Sequence, residues 1–171
     1  MTQERGPAQL EALAGELRAA REEFAAALRD GDPQLLTAPG LAGEWSAREL
    51  IAHLGYWAGH AAEALHHAEQ GRTADFGVDE MDVDERNAVV ARVAAQTELA
   101  TVRQREQAAY EALLVAIERA DPAWLAERVA YGDSLEQVIR DDGPDHYREH
   151  VADVDGWFAD GDGDEGDTDG A

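Results

Sequence analysis

Apolar residues in this chain recur every three to four positions, stretch after stretch, and nowhere alternate with a period of two over the length of a strand. That pattern commits the chain to helices. Leu10, Leu13, Leu17, Ala20, Phe24 and Leu28 form one stripe, with Pro7 before it and Gly31 and Pro33 after it, which predicts a helix over 8–29. Ser46 and Glu49 have capping-box spacing, and Leu50, Ile51, Leu54, Trp57, Ala58, Ala61 and Leu65 follow as a stripe until Gly71 offers a left-handed stop, which predicts a helix over 47–70.

A third helix is expected over 84–119, entered through the acidic residues Asp82, Asp84 and Glu85, which suit a helix amino terminus. Its stripe is clear at Val89, Val90 and Val93 and again at Tyr110, Leu113, Leu114 and Ile117. Gln and Arg dilute it between, so the middle should be exposed or bent. Asp121-Pro122 opens a short helical turn around Trp124, and Ser134 with Gln137 precedes a brief helix to Arg140. Pro144 then starts a helix over 144–159, with the stripe Tyr147, Val151, Val154 and Phe158. Four long amphipathic helices are enough to bury one another's stripes, so the expected fold is an all-α, up-down-type four-helix bundle.

The 171 residues suit one domain, placed at 1–159. The segment 160–171 alternates Asp and Gly with no residue able to anchor a core, and is expected to be a disordered acidic tail. A chain without cysteine has no disulfide, thiolate metal site or thiol nucleophile. A net charge of −23, with arginine as the sole basic residue type apart from histidine, argues against nucleic acid and anionic membranes as partners, since both are met by basic patches. No apolar run approaches the roughly 20 residues of a membrane span, and the start of the chain lacks an apolar signal core. The expected compartment is the cytoplasm and the expected partner a small-molecule substrate, with a homodimer left open.

The histidines carry the chemical information. His146 and His150 stand four apart, so they project from one side of a helix one turn apart, as two imidazoles must to share an ion. His53 flanks the stripe of the second helix, where a third imidazole can complete a three-nitrogen set that leaves coordination positions open. His60, a further turn along that flank, is either a neighbour or an alternative ligand. His66 and His67 point away from the stripe and should be exposed.

The segment Trp45-Ser46-Ala47-Arg48-Glu49-Leu50-Ile51-Ala52-His53-Leu54 with Trp57, then Asp84-Glu85-Arg86-Asn87, then His146-Tyr147-Arg148-Glu149-His150 with Trp157, resembles in order and spacing the DinB-like four-helix proteins. These include mycothiol-dependent maleylpyruvate isomerases and bacillithiol transferases, and the resemblance covers about residues 8–158. It implies a divalent metal, nickel or zinc, on His53, His146 and His150. It also implies a low-molecular-weight thiol such as mycothiol or bacillithiol as cofactor. The resulting expectation is a metal-dependent transferase or hydrolase acting on a small electrophile. The same fold also admits a non-catalytic small-molecule-binding or self-resistance protein. Glu49 and Glu149 are placed to orient the imidazoles, and Arg86 and Asn87 to meet a substrate at the bundle mouth. Trp45, Trp57, Tyr147 and Trp157 are expected to line the core or a pocket.

Overall fold

A computed structural model describes residues 5–29, 34–78 and 81–161. Its long elements are α1 (Arg5–Arg29), α2 (Ala47–Glu69), α3 (Val83–Ala95), α4 (Leu99–Arg119), α5 (Leu135–Asp142) and α6 (Pro144–Gly161), with short 3-10 turns at Leu35–Thr37, Thr73–Asp75 and Pro122–Ala126. No strand occurs among the described residues, only two isolated bridges, Ala42 with Trp45 and Arg128 with Ser134. The all-α class read from the periodicity holds.

The stripes are where the core is. Leu10, Leu13, Leu17, Ala20, Phe24 and Leu28 of α1 are all buried, as are Leu50, Ile51, Leu54, Trp57, Ala61 and Leu65 of α2. One hydrophobic cluster runs from Leu10 to Val154 and takes in residues of α1, α2, α4, α5 and α6. α2 packs chiefly on α4, and α1 on α6. The α2–α4 pair is close because of Gly55: a Cβ there would lie 2.8 Å from the Glu106 Cα, so only glycine admits that approach.

The ends of α2 follow the sequence signals. Glu49 accepts from the Ser46 backbone N–H at 2.7 Å and from the Ser46 hydroxyl, closing the amino terminus. At the other end Gly71 adopts φ +67°. Its N–H reaches the Ala68 carbonyl at 2.9 Å and the Arg72 N–H reaches that of His67 at 2.8 Å, the paired bonds of a Schellman stop.

Two boundaries differ from expectation. α1 starts at Arg5, so Pro7 sits inside its first turn, where its missing N–H has no intrahelical partner to lose. The third helix is two: α3 stops at Ala95 and α4 restarts at Leu99. Thr97 donates its hydroxyl to the Val93 carbonyl at 2.7 Å and its N–H to that of Ala94 at 2.9 Å, and Glu98 is extended at φ −56°, ψ 136°. These bonds take carbonyls out of the helical ladder where no apolar stripe holds the helix down, Val93 being 51% exposed. The short turn at Pro122 and the α5 helix stand where the caps place them, with Ser134 Oγ accepting from the Gln137 N–H at 3.1 Å. Of the expected tail, Asp160 and Gly161 close α6, and 162–171 lie outside the described residues.

Candidate metal centre

α2 and α6 bring His53, His146 and His150 together. Each ring offers one nitrogen to a set whose atoms all lie within 4.8 Å of one another, and the Nε2 atoms of His53 and His146 are 2.8 Å apart. The rotation of α6 produces this. Tyr147 is turned fully into the core, so its neighbour His146, and His150 one turn on, are carried toward α2. Trp45 and Trp57 wall His53 at ring-centroid distances of 5.1 and 6.4 Å.

Burial sets the protonation state. It lowers His53 to about 4, with help from nearby His150, and lowers His146 to about 3, with help from His53 and His150. Both rings are therefore neutral at pH 7, and their Nε2 atoms share one hydrogen bond, in which one donates and the other accepts; a metal ion would take the place of that shared proton. The buried Nδ1 atoms of both rings have no hydrogen-bond partner. His150 is different: its Nδ1 is paired with Asp153 Oδ2 at 2.7 Å, which leaves Nε2 as its ligand atom and fixes the ring as a carboxylate does behind metal-bound imidazoles. Three converging imidazoles, two of them with a buried Nδ1 that has no partner, fit a divalent cation. Bonds of about 2.0–2.1 Å in tetrahedral geometry need nitrogens about 3.3–3.4 Å apart, so the 2.8 Å pair would open by about half an ångström and the wider separations, all within 4.8 Å, would close.

Beside the triad lies an open cleft of about 500 Å³. His53, Trp57 and His60 of α2 form one wall, α5 with the preceding loop forms another, and Asn87 comes from the start of α3. His60 belongs to this cleft and not to the triad: its Nδ1 pairs with Asp142 Oδ2 at 2.7 Å, and its ring lies between Trp57 and Phe76 at centroid distances of 5.0 and 4.7 Å. Asn87 accepts from the Trp57 indole N–H at 3.0 Å, fixing that ring. Arg86 is buried, with its guanidinium 5.2 Å from the Trp57 ring centroid and donating to the Met81 carbonyl at 2.9 Å, so it braces the wall instead of reaching a substrate.

Three expectations are corrected by these contacts. Glu49 does not orient His53, because its carboxylate is taken up by the Ser46 cap. Burial pushes it up, but the hydrogen bonds from Ser46 outweigh that and hold it below the usual carboxylate range. Glu149 lines the cleft, and the carboxylate that holds His150 is Asp153. His66 is exposed as expected, whereas His67 is half-buried against Phe76 at a centroid distance of 5.5 Å. Asp153 was within reach of sequence reasoning, standing three residues after His150 on the same helix face. Asp142 was not, since it lies 82 residues from His60 and only the packing of α5 on α2 joins them.

An all-α fold with three imidazoles converging from its second and last long helices defines a class of helical proteins built around a side-chain cluster on one cleft. The sequence matches, over residues 17–152, the family described as the mycothiol maleylpyruvate isomerase N-terminal domain, and the chain belongs to that family. Solved structures agree in fold. A mycothiol-dependent maleylpyruvate isomerase superposes with a TM-score of 0.70 and 19% identity, over 85% of this chain and 60% of the other. A histidine-to-alanine variant of a mycothiol-dependent maleylpyruvate isomerase superposes with a TM-score of 0.69, at the same identity and coverage. The chain thus spans 60% of the length of the structures it matches. No curated protein sequence matches it. No helix among the described residues is long and apolar enough to cross a membrane.

Proposed function

We propose that this chain is a metal-dependent enzyme that joins a low-molecular-weight thiol to a small electrophile, with His53, His146 and His150 holding a zinc or nickel ion. The observation that carries the reading is the convergence of three imidazole nitrogens within 4.8 Å on the wall of an open cleft. A divalent ion there supplies a lowered pKa for a thiol or a water placed beside it. Three protein ligands leave room for one. The chain has no thiol of its own, so the nucleophile comes from solution, and the name of the family supports a mycothiol-type thiol over water. The residues present do the rest. Asp153 holds the His150 ring, Asn87 and Arg86 hold Trp57, and the cleft confines the two reactants so that their encounter becomes intramolecular.

The test starts with metal analysis of protein purified without a polyhistidine tag. One equivalent of zinc or nickel is expected, lost in each of His53→Ala, His146→Ala and His150→Ala with helical circular dichroism retained. Metal-loaded protein with mycothiol, bacillithiol or glutathione and a panel of electrophiles should then outpace His150→Ala. Retained metal in all three variants refutes the ligand assignment, whereas equal rates with tight binding of an intact small molecule refute the enzyme reading and leave a sequestering protein of the same fold.

A further inference from the structure

The cleft beside the triad has a one-sided charge. Asp133, Asp141, Asp142 and Glu149 contribute carboxylates to its lining, and no arginine is part of it. The arginines on the same helices are turned elsewhere. Arg140 of α5 pairs with Glu16 and Glu136 at 3.0 and 3.2 Å, and Arg148 of α6 with Glu16 and Asp145 at 3.5 and 3.3 Å, both reaching toward α1. One wall also presents an aromatic ring, Tyr131, which is 48% exposed. The cleft is a site on grounds independent of the acids, because His53, 6% exposed and with an unpartnered Nδ1, forms part of its wall.

Carboxylates beside an exposed aromatic ring, with no arginine in the lining, are the chemistry that binds organic cations. With Asp142 taken up by His60, the three remaining carboxylates still outnumber the two charges of a divalent ion in the triad, so the cleft stays negative when loaded. A carboxylate- or phosphate-bearing substrate meets repulsion there and finds no bidentate arginine to offset its desolvation. We infer that the electrophile taken by this cleft carries positive charge, as an amine- or guanidine-bearing compound does, and that the site selects against anionic substrates. This inference rests on the metal-site reading above and specifies its substrate class.

Hydroxamates that share one metal-binding head test it, without any need for turnover. Zinc binding to tag-free protein is measured first, by itself. Affinities of zinc-loaded protein for β-alanine hydroxamate (cationic), acetohydroxamate (neutral) and succinic monohydroxamate (anionic) are then measured by calorimetry at about 0.15 M salt, where charges beyond about 8 Å are screened. The cationic probe should bind at least about tenfold more tightly than the anionic one. Asp133→Asn/Asp141→Asn should reduce that ratio by about threefold per carboxylate removed. Glu11→Gln/Glu111→Gln, which removes two exposed acids outside the cleft, should leave it unchanged. A ratio of one or below, or an equal reduction in the Glu11/Glu111 variant, overturns the substrate class while leaving the metal site standing. Absence of zinc binding overturns the metal-site reading and this inference with it, and zinc binding that admits none of the three probes overturns this inference alone.

Discussion

Acidification should destabilise the metal-free protein through two particular rings. In the unfolded chain His53 and His146 titrate near 6.5; in the native state burial holds them at about 4 and about 3. The sign follows from proton counting. Above pH 6.5 both rings are neutral in both states and add no pH dependence. As pH falls through 6.5 the unfolded chain takes up two protons that the native state refuses until about 4, so unfolding becomes more favourable. Each ring contributes a limiting slope of about 1.4 kcal/mol per pH unit, and between pH 7.5 and 5.5 the pair removes about 3 kcal/mol. The two rings touch, so the pair titrates as a unit and this sum is an upper figure. Against a typical domain stability of about 5–15 kcal/mol it is a large share.

Urea unfolding of chelator-treated protein, followed by circular dichroism at the two pH values, reads the difference directly. Acidic residues titrate mostly below this window, and the remaining histidines are common to wild type and to His53→Gln/His146→Gln. The double variant should therefore lose less than about 1 kcal/mol over the same interval. An equal loss in the two proteins, or wild-type stability that rises on acidification, refutes the claim that these rings are held neutral by burial.

Three further outcomes follow from named contacts. Asp153→Asn removes the charge behind His150 on an exposed part of α6, and zinc affinity by competition titration should fall about tenfold to a hundredfold with thermal stability of the metal-free protein unchanged; unchanged affinity refutes the orienting role. Gly55→Ala drives a methyl group to 2.8 Å from the Glu106 Cα and should cost about 1–3 kcal/mol in urea unfolding by forcing α2 and α4 apart, whereas Gly59→Ala, whose Cβ would meet its nearest neighbour only at 4.0 Å, should be neutral or stabilising. Tyr147→Phe leaves a Glu106 oxygen without the phenol donor now 2.5 Å away and should cost about 2 kcal/mol, with the same unfolding measurement as the check.

Local sequence chemistry made most of the helices legible. The cap of α2 at Ser46 and Glu49, its stop at Gly71 and the proline start of α6 each involve residues within a few positions of one another, so spacing alone identifies them. The break between α3 and α4 was readable only as a weakened stripe, because helix continuity there depends on what packs underneath, and the residues to either side of Thr97 are exposed. For the site, His146 and His150 were one helix turn apart in sequence, and His53 entered through its position on the stripe flank and through family resemblance. The α5 wall of the cleft, with Asp141 and Asp142, was not legible, because a helix of eight residues joins α2 only through the tertiary fold.

The convergence of the imidazoles depends on a contact that involves none of them. Glu106 of α4 is 5% exposed, and its carboxylate accepts from Arg21 Nη2 of α1 at 2.9 Å and from the Tyr147 hydroxyl of α6 at 2.5 Å. Burial, then the adjacent carboxylate, keeps the Tyr147 phenol protonated well above its ordinary range, so it remains a donor at every pH at which the protein works. The carboxylate thus joins three helices at one buried point, and Gly55 lets α2 press against the backbone of that same residue. A rotation of α6 by one residue, about 100°, would pull Tyr147 off Glu106 and leave the buried carboxylate with Arg21 as its remaining described partner and one oxygen short of its phenol donor. It would also carry His146 and His150 away from His53. The angular position that satisfies the buried acid is therefore the one that aligns the three imidazoles, which is how a core interaction far from any substrate specifies the geometry of the cleft.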